Sequence, residues 1–274
     1  IPSSVILKAA GVYDQRNLGY EGDIAVGISD TGTTTSRQIS ARSIPTTCTR
    51  WYLPAYLDES GHMQWIESFI GGGRVDLGNG VIIDGGLPKV KLYGARCLFT
   101  PVGAGSNMDV LEGARILFED YDVKIGNFSL GSEDYEDCVN DPTAIALNGY
   151  AAQGKIPVVA AGNSGPAART IGHPGCVQNV ITVGAWSYTD DAPSFFSSRG
   201  PTRMGREKPD ICAYGGGREL EDSKPKEGIL SSSCGFIDAS DLIPNRLAAI
   251  AGSSMSTPLK VIIIAQWCEE YKKK

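Results

Sequence analysis

Of 274 residues, 42% are hydrophobic and 20% charged, enough to bury one sizeable core, and a single domain over 1–274 is expected. The formal net charge of -6 argues against the basic face that nucleic acid or an anionic membrane surface needs, so neither is expected as a partner. No apolar run approaches the ~20 residues of a membrane-spanning helix, and 34 glycines with 15 prolines make the chain turn-rich without low complexity.

In chain order, DIAVGIS (23–29) has the pattern of a buried strand ending at a D-T-G turn, and GHMQWIESFIG (61–71) is helical with Met63, Ile66 and Ile70 on one side. GGGRVDLGNG (71–80) lacks the Lys-Ser/Thr ending of a phosphate loop and reads as a plain loop. VKLYGARCL (90–98) is a second strand. SNMDVLEGARILFEDY (106–121) follows as a helix that Ser106 and Asn107 announce, with Val110, Leu111, Ala114, Leu117 and Phe118 on one face. VKIGNFSL (123–130), a helix over 141–153, IPVVAA (156–161) and NVITVGAW (179–186) continue the alternation. Residues 215–250 begin with three glycines, show no period and read as a long excursion, after which AGSSMSTP (251–258) opens a buried helix, LKVIIIAQW. Strands alternating with helices predict an α/β fold of three layers, a mostly parallel sheet with helices on both faces. In such sheets the chemistry lies beyond the carboxyl ends of strands. Asp30-Thr31-Gly32, Ser129-Leu130-Gly131 and Gly162-Asn163-Ser164-Gly165 occupy those places.

Seven cysteines without a C-x-x-C pair suggest neither a zinc site nor a full disulfide framework; most are expected as packed thiols, which leans toward a reducing compartment. The chain opens on Ile1 with no legible leader peptide, so a processed form is expected and the compartment is not fixed.

A serine hydroxyl becomes a useful nucleophile when a base, a carboxylate orienting that base and donors for an oxyanion surround it. Of the two histidines, His173 lies in a Gly/Pro turn, TIGHPG, whereas His62 opens a helix and is the better base. The order Asp30, His62, Asn163, Ser254 resembles the subtilisin-like serine proteases. GYEGDIAVGISDTG (19–32), SGH (60–62), FSLG (128–131), AAGNSGPAARTIGHPGCVQNVITVGAW (160–186), FSSRGPTRMGREKPDICAYGG (196–216) and GSSMSTP (252–258) carry the resemblance, over about residues 15–268.

It implies a serine endopeptidase in which Ser254 is the nucleophile, His62 the general base and then acid, and Asp30 the group that fixes the imidazole tautomer. Asn163 and the Ser254 N–H would receive the oxyanion, with Pro258 tolerated in the helix's first turn. Peptide substrates would lie as an added strand between Ser129-Leu130-Gly131, with Gly162 beside it, and the segment Gly103, Gly105 and Ser106. A propeptide or inhibitor would use the same cleft. An acidic cluster, Glu133, Asp134, Glu136, Asp137 and Asp141, suggests a preference for basic residues near the scissile bond. No cofactor is required; the family's structural calcium has oxygen ligands available in Asp76, Asn79 and Asp84, but their spacing does not match, and solvated loop carboxylates are expected there.

The sequence departs from the family in places. The usual H-G-T-H-V-A-G becomes His62-Met63-Gln64-Trp65-Ile66-Glu67-Ser68, and after the serine motif H-V-A-G becomes Leu259-Lys260-Val261-Ile262. The chain also stops at Lys274, where the family generally continues, so a longer parent is expected. These departures motivate the alternative, a catalytically impaired protease-derived scaffold that binds peptides without cutting them. An α/β-hydrolase esterase is disfavoured because no G-x-S-x-G elbow is present.

Overall fold

The computed structural model describes residues 1–33, 46–50, 53–54, 57–99, 103–133, 138–217, 227–232 and 247–274. Two short helices come first, α1 (Ser3–Ala9) and α2 (Val12–Asn17), which the sequence pattern did not announce. The first strand, β1 (Ala25–Asp30), ends on the D-T-G turn as expected, and β2 (Thr46–Cys48) precedes the histidine helix α3 (His62–Gly71). The glycine-rich stretch read as a loop is the end of α3 followed by a hairpin, β3 (Val75–Asp76) and β4 (Ile82–Ile83). Next come β5 (Lys91–Arg96) and α4 (Asn107–Arg115), whose Ser106 and Asp109 form a reciprocal capping box. α4 runs on as a π-helical turn over Ile116–Asp120.

The remaining elements are β6 (Ile125–Phe128), α5 (Pro142–Ala152), β7 (Ile156–Ala160), β8 (Ile181–Ser187), β9 (Ala192–Pro193) and β10 (Ile211–Tyr214). β11 (Ile229–Ser232) and β12 (Leu247–Ile250) follow, then α6 (Ser253–Lys273). The sheet order is β10-β8-β7-β6-β1-β5-β2, every neighbour parallel, with β9 antiparallel beside β8. Apolar residues fill both faces of these strands, as a parallel sheet covered on both sides requires. On one face, Val26, Ile28, Ile125, Val158 and Val183 pack with Met63, Ile66, Ile70, Leu259 and Ile262 of α3 and α6. On the other, Ala95, Phe128 and Val159 meet Ala114, Leu117 and Leu147 of α4, its π turn and α5. The three layers expected from the alternation are present.

The excursion at 215–250 is partly ordered structure: β11 and β12 form an antiparallel pair, Ile229 opposite Ile250. Its Leu230 and Leu247 pack with Ile83 from the β4 hairpin. Residues 218–226 and 233–246 of the excursion lie outside the described residues.

Candidate active site

Asp30 is the last residue of β1 and is fully buried. Its Oδ1 accepts the Thr31 N–H at 2.8 Å and lies 2.8 Å from His62 Nδ1. His62 is the first residue of α3; Gly61 before it holds φ at 80°, a turn that strongly favours glycine. The imidazole is 18% exposed. Burial disfavours its protonated form, but the Asp30 charge, its hydrogen bond and the more distant Asp58 outweigh that, so His62 titrates above the ordinary histidine value. With Nδ1 bonded to a carboxylate, Nε2 is the nitrogen left to act on a reactant.

Sequence reasoning missed two carboxyls packed behind this pair. Asp58, 3% exposed, accepts from Thr31 Oγ1 at 2.8 Å, from Gly61 N at 2.7 Å and from Gln64 N at 3.0 Å. An aspartate just before a helix start is a capping candidate, and that signal could have found it. Glu67 lies on α3, 2% exposed, with both carboxyl oxygens facing the Thr33 hydroxyl at 3.1 and 2.8 Å. Burial, only partly offset by that hydroxyl and reinforced by the Asp58 charge, holds its pKa well above the usual carboxylate range. Where the family has a small residue, nothing in the pattern marks Glu67 as buried.

Ser254 stands in the first turn of α6, after Gly252. Two hydrogen bonds fix Ser253, the residue just before Ser254. Ser253 N donates to Asn163 Oδ1 at 2.8 Å, and Gly162 N donates to Ser253 Oγ at 3.1 Å, so the loop after β7 is tied to the start of α6. With Oδ1 used this way, the Asn163 amide nitrogen is free to donate into the cleft. The Ser254 N–H has no partner among the described residues. Ser254 Oγ donates to the Ser129 carbonyl at 3.0 Å, and no hydrogen bond joins it to His62. Pro258 is not in the first turn as expected; it sits inside α6, where its absent N–H would have served the Ser254 carbonyl. That carbonyl instead accepts from Ser129 Oγ at 2.9 Å, and Ser129 Oγ in turn accepts from Asn127 Nδ2 at 2.9 Å.

These residues open on one cleft of about 710 Å³, lined by His62, Ser254, Asn163, Gly162, Ser129-Leu130-Gly131, Gly103 and Gly105 among others. Of the residues anticipated as substrate-binding, Ser106 is absent from the lining. Its side chain caps α4, and Asn107 lines the cleft in its vicinity. The acidic cluster is divided. Glu133 lines the cleft, whereas Asp141 is buried, caps α5 through the Thr143 and Ala144 amides and faces His173 Nε2 at 3.0 Å. Asp134, Glu136 and Asp137 lie outside the described residues. Of the seven cysteines, most of which were expected as packed thiols, Cys138 and Cys176 form a disulfide, Cα atoms 5.9 Å apart; among the described residues Cys48, Cys97, Cys212 and Cys268 are free. Nor is Asp84 a solvated loop carboxylate: it is 5% exposed, accepts from Tyr13 and Arg16 at 3.0 and 3.1 Å, and has Arg74 at 3.6 Å. Asp76 holds the hairpin turn through Gly78 N at 2.8 Å.

The sequence pattern that defines the Subtilase family matches residues 22–273. The chain belongs to the subtilase family. Serine protease AprX of Bacillus subtilis (strain 168) is 34% identical over 194 residues, covering 64% of this chain and 41% of that protein. Pyrolysin of Pyrococcus furiosus is 28% identical over 203 residues, 64% of this chain and 13% of its own length. Subtilisin-like protease SBT6.1 of Arabidopsis thaliana is 37% identical over 118 residues, 41% of this chain and 11% of its own. This chain therefore spans less than half the length of these relatives.

Membership makes the altered histidine helix a packing question, and the excursion answers it. Trp65 Nε1 donates to the Ala248 carbonyl on β12 at 3.1 Å, Gln64 Nε2 to Ser232 Oγ on β11 at 3.3 Å, and Ser231 Oγ to the Trp65 carbonyl at 3.4 Å. The bulky residues that depart from the subtilase motif are those that receive the β11–β12 pair.

Proposed function

We propose that this chain is a serine endopeptidase that hydrolyses peptide bonds through an acyl-enzyme. The observation that carries the reading is the 2.8 Å bond between Asp30 and His62 Nδ1, opening on the same cleft as Ser254. A rotation about its Cα–Cβ bond turns the Ser254 hydroxyl from the Ser129 carbonyl toward Nε2. Nε2 takes the hydroxyl proton as Oγ bonds to the substrate carbonyl carbon, and Asp30 stabilises the imidazolium. The carbonyl oxygen, now anionic, is received by the Ser254 N–H and the Asn163 amide, reinforced by the start of α6. As the C–N bond breaks, the imidazolium gives its proton to the leaving amine. Water, deprotonated by the same nitrogen, then releases the acid and returns the proton to Ser254.

The substrate is an extended peptide pairing its backbone with the Ser129–Gly131 edge on one side and Gly103–Gly105 on the other. A propeptide or inhibitor would occupy the same edges. Glu133 at the rim favours a basic residue near the cut. Comparable cleavage of matched Lys, Leu and Phe peptides would remove that preference. A second reading, a scaffold that binds peptides without cutting them, draws support from the Ser254 hydroxyl bonding to Ser129 and not to His62. A fluorophosphonate probe separates the two. The peptidase loses fluoride from the probe and gains one phosphonyl group, mapped to Ser254 by mass spectrometry, while the scaffold stays unlabelled yet binds peptides.

A further inference from the structure

Asp58 joins the two catalytic elements from behind. One carboxyl oxygen, Oδ1, takes the Thr31 hydroxyl and the Gly61 amide; the other, Oδ2, takes the Gln64 amide. Thr31 adjoins Asp30, whereas Gly61 and Gln64 flank His62, so one buried anion holds the carboxylate loop and the imidazole helix in fixed relation. Thr31 Oγ1 closes the ring by accepting the Met63 amide at 3.1 Å. A charge accepting three donors makes stronger bonds than neutral pairs would, and it occupies amides that α3 otherwise leaves without helical partners.

We infer that Asp58 is a positioning residue, the clamp that sets the Asp30–His62 geometry and the field in which His62 titrates. Among the described residues, the charges acting on His62 are those of Asp30 and Asp58. Asp30 faces His62 from β1, Asp58 from the segment before α3, and Glu67 lies further along α3, in the field of Asp58. Arg96 on β5 does not neutralise the group: its Nη1 donates to the Pro54 carbonyl at 2.6 Å and its Nη2 lies 3.7 Å from Glu59. Asparagine at position 58 retains one acceptor oxygen but turns a donor onto the Gln64 amide and removes the charge.

The kinetic arm of the test rests on the peptidase reading; a titration of His62 does not. In Asp58→Asn, kcat on a peptide substrate should fall on the order of 10–100-fold with KM little changed. The low-pH limb of the rate profile should move to lower pH, because an anion that favoured the imidazolium is gone. Thr31→Val should fall in the same direction and Thr31→Ser should recover most of the loss, since the serine keeps the hydroxyl. The imidazole C2–H resonance of His62, assigned with His173→Gln, should titrate at lower pH in Asp58→Asn than in the parent. Folded Asp58→Asn with unchanged kcat and an unchanged His62 titration would overturn the inference. So would a loss of activity that follows melting temperature alone while the titration stays put. A parent that neither cleaves peptides nor labels at Ser254 would defeat the peptidase reading instead, and the resonance titration would still decide Asp58.

Discussion

Two helices meet at the cleft, and their first turns are used in opposite ways. At the start of α3 the amides of Gly61, Met63 and Gln64 are all taken by Asp58 and Thr31, which makes the helix end a fastening. At the start of α6 the Ser253 amide is taken by Asn163, but the Ser254 amide is left open. Every helix begins with amides lacking intrahelical partners. A protein can satisfy them to hold something still or leave one bare to receive negative charge. In the proposed mechanism the base needs orientation and the nucleophile needs charge stabilisation, and the two helix ends match those two needs.

The sharpest way to break this division is to spoil the orienting side. Asp30→Asn should lower kcat by ~10⁴ with little change in fold, because the imidazole is then held in the wrong tautomer; steady-state kinetics with circular dichroism checks both. On the receiving side, Asn163→Ala should cost ~10²–10³ in kcat, the scale measured for loss of a subtilisin oxyanion asparagine. If the two variants lost activity equally, the contrast between the helix ends would not hold.

Smaller effects sharpen the contrast through stability. Glu67 binds its proton more tightly folded than unfolded, so the parent should lose stability as pH rises from the ordinary glutamate value through the raised folded one. Glu67→Gln removes that titration; its melting temperature relative to the parent should climb across that window and stay level below it. The smallest effect should come from Ser129→Ala, which leaves the part-buried Ser254 carbonyl without its donor at a cost of about 1–2 kcal/mol in a denaturant titration. In a Pro258→Ala background the helix amide is restored, and the same substitution should cost less.

Much of this was legible in the sequence. DIAVGIS, IPVVAA and NVITVGAW are apolar runs too short for helices, and they form strands of one parallel sheet. Ser106 and Asp141 marked two helix starts where caps are found. His62, Asn163 and Ser254 line one cleft, with Asp30 buried behind His62, because the residues singled out stood at strand ends or helix mouths. What was illegible depends on tertiary partners. β2, β10 and β11 are short strands with no run of their own. The Cys138–Cys176 pairing joins residues that spacing does not connect. Asp84 lies in a glycine-bearing loop yet is buried, because two arginines and a tyrosine from other segments converge on it. Pro258 looked like an initiator, and only the Ser129 hydroxyl shows how a helix accommodates it past the first turn.

The seating of the β11–β12 pair on α3 has a mechanical consequence. Trp65 is three residues from His62, so the indole bonded to Ala248 works as a strut between an insertion remote in sequence and the imidazole's helix. A partner that pried the pair away would loosen that strut without touching the cleft. Grafting a different insertion between residues 215 and 250 would therefore require residues 64 and 65 to be recut along with it.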